Sequence, residues 1–178
     1  KVLNININII DHTSNKLFDF ENNQIKWKSS NKKIIIANHS NYLDVFILYY
    51  LFRCGFVASE FVNATQIGRL LSSCCKLLIF KRGVDTNMVE KIKQYLNQTK
   101  KILIYPEGVM TNNTVLGKFR TGAFYVGANI CPLVIKYKNY VYDDDFTQMV
   151  FKLLTQKEIE VDIHILDLEF QPDRKSVV

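Results

Sequence analysis

A histidine and an aspartate stand five positions apart in the segment Asn38-His39-Ser40-Asn41-Tyr42-Leu43-Asp44. Histidine is the side chain whose unperturbed pKa lies nearest neutrality, so it can take a proton from a hydroxyl. A carboxylate beside it can fix its tautomer and stabilise the imidazolium that forms. Together the two residue types suit general-base activation of a hydroxyl. A histidine near an aspartate is also common by chance, and a capping or surface histidine is the competing reading. On an ideal helix five residues turn through about 500°, so the two side chains would not share a face. The pair works better with His39 in a turn and Asp44 in the first turn of a following helix.

Two more constellations carry chemistry. Phe80-Lys81-Arg82 places two cations at the end of an apolar run. Such cations bind phosphate, arginine through a planar fork, or form a solvated surface pair. Tyr105-Pro106-Glu107-Gly108 turns an apolar run into a sharp corner that projects Glu107. The chain continues to Lys118-Phe119-Arg120-Thr121-Gly122-Ala123-Phe124, which adds Lys118 and Arg120 as cations and Gly122 as a point of close approach. A turn glutamate and ordinary surface cations are the plainer interpretation.

These segments need a scaffold, and the hydrophobic pattern supplies one. Ile34 to Ala37 is an apolar run after Lys32-Lys33 and reads as a buried strand. His39 therefore falls at the rim of a sheet, a usual place for catalysis in α/β proteins. Leu43 to Phe52 reads as a strongly apolar helix, Phe56 to Asn63 as a strand, and Gln66 to Lys76 as a helix with Ile67, Leu70, Leu71 and Cys74 on one stripe. Leu77 to Phe80 is a short strand. Asn87 to Lys100 is the clearest helix, opened by an Asn87/Glu90 capping box, with Met88, Ile92, Tyr95 and Leu96 on its apolar face. Ile102 to Tyr105, Leu133 to Tyr137 (after Cys131-Pro132) and Val161 to Leu168 read as strands. Lys1 to Ile10 alternates like a strand, with Leu3, Ile5, Ile7 and Ile9 on one face. Asp11 to Ser30 is polar and fits a hairpin or an irregular excursion. Strands alternating with helices predict one α/β domain over 1–178, a mixed, mostly parallel sheet flanked by helices.

The 178 residues suffice for one real core, and 48% hydrophobic with 22% charged residues is a globular composition. The net charge of +6 suits a polyanionic neighbour: nucleic acid, an anionic membrane or a phosphorylated ligand. With no basic arm and no nucleic-acid motif, nucleic acid is not an expected partner. Cys54, Cys74, Cys75 and Cys131 show no CxxC spacing, so reduced, structural thiols are expected rather than a zinc site. The most apolar stretch, Tyr42 to Ala58, is interrupted by Asp44 and Arg53 and is too short and charged to span a bilayer. The chain opens on Lys1, so a membrane anchor outside these residues is compatible with it.

In order along the chain, these blocks resemble the glycerolipid acyltransferases, enzymes that esterify glycerol phosphates and lysophospholipids from acyl-CoA. Asn38 to Asp44 is similar to that family's NHxxxxD block, Ile79-Phe80-Lys81-Arg82 to the block ending in a phosphate-contacting arginine, Tyr105-Pro106-Glu107-Gly108 with Phe119 and Gly122-Ala123-Phe124 to its FPEG block and tail, and Ile130 to Ile135 to its fourth block. The resemblance covers residues 34–137. Pro106 to Thr114 is closest to the eukaryotic glycerol-3-phosphate and lysophosphatidylcholine branches. The bacterial Thr-Arg-Ser is replaced by Val109-Met110-Thr111, leaving Lys118 or Arg120 to stand in for the missing arginine, and Cys75-Lys76 stands where the family usually has a glycine.

The resemblance implies a glycerol-3-phosphate acyltransferase-like fold and a direct transfer. His39 is the base and Asp44 orients it. Arg82, Lys118 and Arg120 hold the acceptor phosphate. Glu107 holds glycerol hydroxyls or positions Arg82, and backbone amides near Gly108 form an oxyanion hole. Acyl-CoA is the co-substrate, and neither a cofactor nor a metal is required. A lysophosphatidate or glycerol-3-phosphate acceptor, a membrane surface as partner and the cytosolic face of the endoplasmic reticulum follow as expectations. The segments Tyr42–Ala58 and Phe61–Phe80 suit interfacial docking or burial as core helices. A catalytically inactive lipid-binding scaffold is the alternative, against which the intact set His39, Asp44, Arg82 and Glu107 argues. A hydrolase lacks its GxSxG elbow.

Overall fold

The computed structural model describes residues 4–13, 18–21, 24–27, 33–64, 66–81, 87–99, 101–112, 114, 117–139, 143 and 145–167. In chain order they form β1 (Ile5–Asp11), β2 (Phe18–Glu21), β3 (Gln24–Trp27), β4 (Lys33–Ala37), α1 (Leu43–Phe52), β5 (Gly55–Ser59), α2 (Gln66–Cys74), β6 (Leu77–Phe80), α3 (Met88–Thr99), β7 (Lys101–Ile104), β8 (Asn129–Tyr137), α4 (Phe146–Thr155) and β9 (Ile159–Ile165). Two 3₁₀ turns, Glu60–Ala64 and Thr121–Val126, lie between them.

Three consecutive isoleucines leave β4 no polar face, so both faces must be covered. That places β4 inside a seven-stranded sheet of order β1-β9-β8-β4-β7-β5-β6. Side chains alternate across a strand. Ile35 and Ala37 accordingly enter one core with Ile47, Leu48 and Leu51 of α1 and Met149 and Leu153 of α4. Ile34 and Ile36 enter a second core with Ile92 and Leu96 of α3 and Ala123 and Val126 of the later 3₁₀ turn. The pairs β6–β5, β5–β7, β7–β4 and β4–β8 are parallel, β8–β9 is antiparallel, and β9–β1 is parallel. The expected mixed, mostly parallel α/β sheet flanked by helices is thus the one observed. β2 and β3 form a separate antiparallel hairpin, the first of the two forms expected of Asp11–Ser30.

Several expectations are corrected. The strand expected over Phe56–Asn63 stops at Ser59, where its pairing with Phe80 ends, and a 3₁₀ turn follows. In α2, Leu71 of the expected stripe is buried, but Leu70 and Cys74 are exposed, and it is Cys75, just past the helix, that is buried in place of Cys74. β8 begins at Asn129, not after Pro132. The β8–β9 ladder ends at Leu133↔Ile165, and just beyond it the Pro132 carbonyl accepts from Leu166 N at 3.0 Å. The proline nitrogen, with no hydrogen to donate, lies on that side, where no ladder bond is needed. Helix α4 was not expected. It is capped by Asp145, whose Oδ1 accepts from Thr147 N (2.7 Å) and Gln148 N (3.0 Å).

Gly55 is required by close approach. A Cβ there would fall 2.5 Å from the Lys76 carbonyl and 1.8 Å from the Tyr95 hydroxyl, which itself donates to that carbonyl. Gly55→Ala is expected to destabilise the protein by about 1–3 kcal/mol through overpacking, read as a lower urea midpoint at unchanged slope. An unaltered midpoint would show that β5 and β6 can separate freely at this point.

Candidate active site

The chain leaves the sheet at Ala37 through a side-chain imitation of a strand. Asn38 Nδ2 donates to the Ile135 carbonyl at 2.9 Å, and Ile135 N donates to Asn38 Oδ1 at 2.8 Å, so one side-chain amide extends the β4–β8 pairing. The next residue is His39, whose carbonyl accepts from Thr111 N at 2.8 Å. Asn41 then forms an Asx turn, its Oδ1 accepting from Leu43 N at 3.0 Å, and α1 begins. Asp44 is the second residue of that helix, where the macrodipole favours a negative charge. His39 in a turn and Asp44 in the first helical turn is the placement that the spacing required.

The Asp44 carboxyl is fully buried and accepts four hydrogen bonds. Oδ2 takes those from Ser40 N (2.8 Å), Asn41 N (2.9 Å) and His39 Nδ1 (3.0 Å). Oδ1 takes the Tyr137 hydroxyl at 2.6 Å. Four donors suit an ionised, acceptor-only carboxylate. An Nδ1–H donated to Asp44 leaves Nε2 of a neutral imidazole with its lone pair. The imidazole retains 18% exposure and lies on the wall of a cavity of about 640 Å³. That volume is in the usual range for small-molecule sites. Phe56, Val57, Leu71, Leu77 and Ile92 make its walls apolar, while Lys81 and Arg120 supply cations at its exposed margin.

The Pro-Glu-Gly corner completes the rim. β7 runs parallel to β4, so the corner follows at the same sheet end as His39. Gly108 has φ +69°, and its N–H donates to the Tyr105 carbonyl at 3.0 Å. That amide is engaged in the turn, not directed at the cavity. A Cβ on Gly108 would lie 3.0 Å from Arg120 Nε, so the Arg120 side chain crosses the corner. Arg120 N also donates to the Pro106 carbonyl at 2.8 Å. Glu107 is buried at 6% exposure, with Oε2 accepting from Gly117 N at 2.7 Å and Oε1 unpartnered among the described residues.

The structure therefore brings His39, Asp44, Gly108 and Arg120 to one place, with Glu107 behind the corner. Lys118 is exposed and does not contribute to the cavity wall. Arg82 lies outside the described residues, and its neighbour Lys81 is on the wall. Two aromatic residues have a place at the site that the sequence does not assign them. Tyr137 is the second anchor of Asp44 from 93 positions away. Tyr105 stacks on the His39 ring with centroids 4.0 Å apart and planes 14° apart. Burial, and secondarily the Asp44 charge, push its phenol well above the ordinary value. Burial likewise pushes the Cys54 and Cys131 thiols up to about 12, so neither is a thiolate near neutrality.

A family model described as Acyltransferase matches residues 18–136. A lysophospholipid acyltransferase of Arabidopsis thaliana is 24% identical over 153 residues, which are 80% of this chain and 28% of that protein. Glycerol-3-phosphate acyltransferase 3 of Mus musculus is 35% identical over 123 residues, 64% of this chain and 27% of that protein. The chain thus spans about a quarter of the length of these relatives. The crystal structure of the 1-acyl-sn-glycerophosphate acyltransferase of Thermotoga maritima shares the fold, with TM-score 0.55 and 15% identity over 95% of this chain and 66% of that one.

Proposed function

Because this chain belongs to the acyltransferase family, we infer that it transfers an acyl group from acyl-CoA to a hydroxyl of a glycerol phosphate or lysophospholipid. The observation that carries this reading is the His39–Asp44 pair, at 3.0 Å, on the wall of a largely apolar cavity with two cations at its margin.

His39 Nε2 accepts the proton of the acceptor hydroxyl while that oxygen attacks the thioester carbonyl. Asp44 keeps Nδ1–H donated and balances the imidazolium. The tetrahedral adduct collapses with cleavage of the carbon–sulfur bond, and the sulfur takes the proton back from Nε2. An ester and free CoA result, without a covalent acyl-enzyme. General-base assistance contributes about 10²–10⁴-fold, and juxtaposing two bound substrates supplies much of the rest.

The acyl chain occupies the apolar cavity, and Arg120, Lys81 and Arg82 receive the acceptor phosphate, with Lys118 adding to the field at the mouth. Glu107 braces the corner through Gly117. No cofactor is required by this scheme. An acceptor that dissolves in bilayers places the protein at a membrane surface, and the cytosolic face of the endoplasmic reticulum is the proposed site. The net charge of +6 supports contact with a membrane surface, as do Phe61 and Leu70, 67% and 55% exposed beside the wall residues Val62 and Leu71. No helix among the described residues is long and apolar enough to cross a membrane.

The test is incubation with radiolabelled acyl-CoA, on liposomes, against glycerol-3-phosphate, lysophosphatidate and lysophosphatidylcholine. Label entering one product supports the reading, whereas no transfer to any acceptor from folded, membrane-bound protein overturns it. Arg120→Ala is expected to raise KM for the phosphorylated acceptor about tenfold with kcat little changed, as loss of one charge-assisted contact implies. An unchanged KM would remove Arg120 from the phosphate site.

A further inference from the structure

The geometry points to Tyr105 as a positioning residue for the catalytic histidine, acting through its ring face and not through its hydroxyl. This rests on the reading of His39 as the base. A single hydrogen bond from Nδ1 to Asp44 fixes one atom of the imidazole but leaves the ring free to swing about that contact. Nε2, the atom that must meet the acceptor hydroxyl, moves most in such a swing. The Tyr105 ring, 4.0 Å away and nearly parallel to the imidazole, blocks it by defining the plane in which the imidazole lies. Tyr105 is itself held at the end of β7, one residue before the Pro106 corner. Its carbonyl accepts from Gly108 N, so the stacked ring is tied to that turn.

The same contact favours the charged state that forms during transfer. Once Nε2 holds the proton, a cationic imidazolium lies against the negative face of an aromatic ring, an attractive arrangement. The hydroxyl takes no part in this. It is buried and has no hydrogen-bond partner among the described residues. Burial and the Asp44 charge keep the phenol neutral throughout the physiological range. A ring that works by its face predicts that phenylalanine will serve and an aliphatic side chain will not.

Three measurements test this. In Tyr105→Phe, kcat is expected to stay within about threefold of the native enzyme. In Tyr105→Leu, kcat is expected to fall about tenfold or more, with KM for both substrates within about threefold and a cooperative melt retained. In the unaltered protein, the His39 Hε1 proton resonance, assigned by its loss in His39→Ala, is expected upfield of its position in the unfolded chain, because a proton above an aromatic face is shielded. That measurement needs no Tyr105 variant to fold.

An unshifted resonance overturns the proposal. So does a leucine variant that retains kcat within about threefold, or a phenylalanine variant that loses as much as the leucine variant, since either removes the ring face as the working element. A rise in KM with kcat unchanged would make Tyr105 a wall residue instead. If the native protein transfers no acyl group, the proposed function fails, while the resonance still reports on the stack.

Discussion

Replacing His39 with alanine is expected to lower acyl transfer by about 10²–10⁴-fold or more while leaving the protein folded. The residue stands where an imidazole, oriented by a buried carboxylate, lines the cavity. Its removal deletes the proposed base but does not strand its partner. Asp44 keeps the hydrogen bonds from Ser40 N, Asn41 N and the Tyr137 hydroxyl. The imidazole is 18% exposed, so its deletion opens a site that already meets solvent. Stability is therefore expected to change by about 1 kcal/mol or less. The loss should fall on kcat with little change in KM, because the proton moves only as the transition state forms. Steady-state rates with labelled acyl-CoA, paired with a thermal melt, check this. Transfer within threefold of the native rate would remove His39 from the chemistry.

Asp44→Ala is expected to be worse in both respects. It takes from two backbone N–H groups and the Tyr137 hydroxyl, inside the protein, the carboxylate to which they donate. Each such loss costs about 1–3 kcal/mol, so a net loss of about 3–5 kcal/mol is expected. That is a large part of the stability of an ordinary domain. The turn before α1 would lose the group around which it is wound, and His39 would lose its orienting partner. Asp44→Asn separates the two effects. It restores the volume and one acceptor, but presents an NH₂ where the native group accepts. It is expected to recover part of the stability and little of the activity, with kcat lower on the order of 10³–10⁴-fold. Urea denaturation and kcat on the same preparations decide the matter. An alanine variant as stable as the native protein would mean that the buried donors find other partners.

The legible parts of this protein were the local ones. The run Ile34 to Ala37 announced a strand buried on both faces, and the spacing of His39 and Asp44 selected a turn followed by a helix, because no single helix could bring them together. Met88, Ile92, Tyr95 and Leu96 marked the inward face of α3 correctly, since that stripe is bounded by lysines on the other side. In α2 the same reasoning misplaced Leu70. An exposed leucine and a buried one are adjacent in sequence, and it is Leu71 that enters the core shared with α1 and β5. Pro132 reads locally as a strand boundary, because nothing local reveals that its missing N–H falls beyond the end of a ladder made with β9. Asp145 followed by Met149 and Leu153 carried a readable helix signal that was overlooked. Tyr105 and Tyr137 belong to another class. Each meets the His39–Asp44 pair across more than sixty positions, and pairing at that separation is a property of sheet order, not of any window of sequence.

Strand β8 holds both halves of the pair. Asn38, one residue before the histidine, is bonded to the backbone of Ile135, and Asp44 is bonded to the side chain of Tyr137, two residues further along the same strand. His39 and Asp44 thus share a mechanical reference other than the turn that connects them. If the sheet flexes, both groups are carried with it, and the displacement is common to the two and largely cancels in the distance between them. A vibration of the connecting turn must instead work against two anchors on a strand that is hydrogen-bonded on either side. The pair behaves like two instruments bolted to one optical rail: the mounting filters out motion of the surroundings, so the proton donor–acceptor geometry can stay narrow.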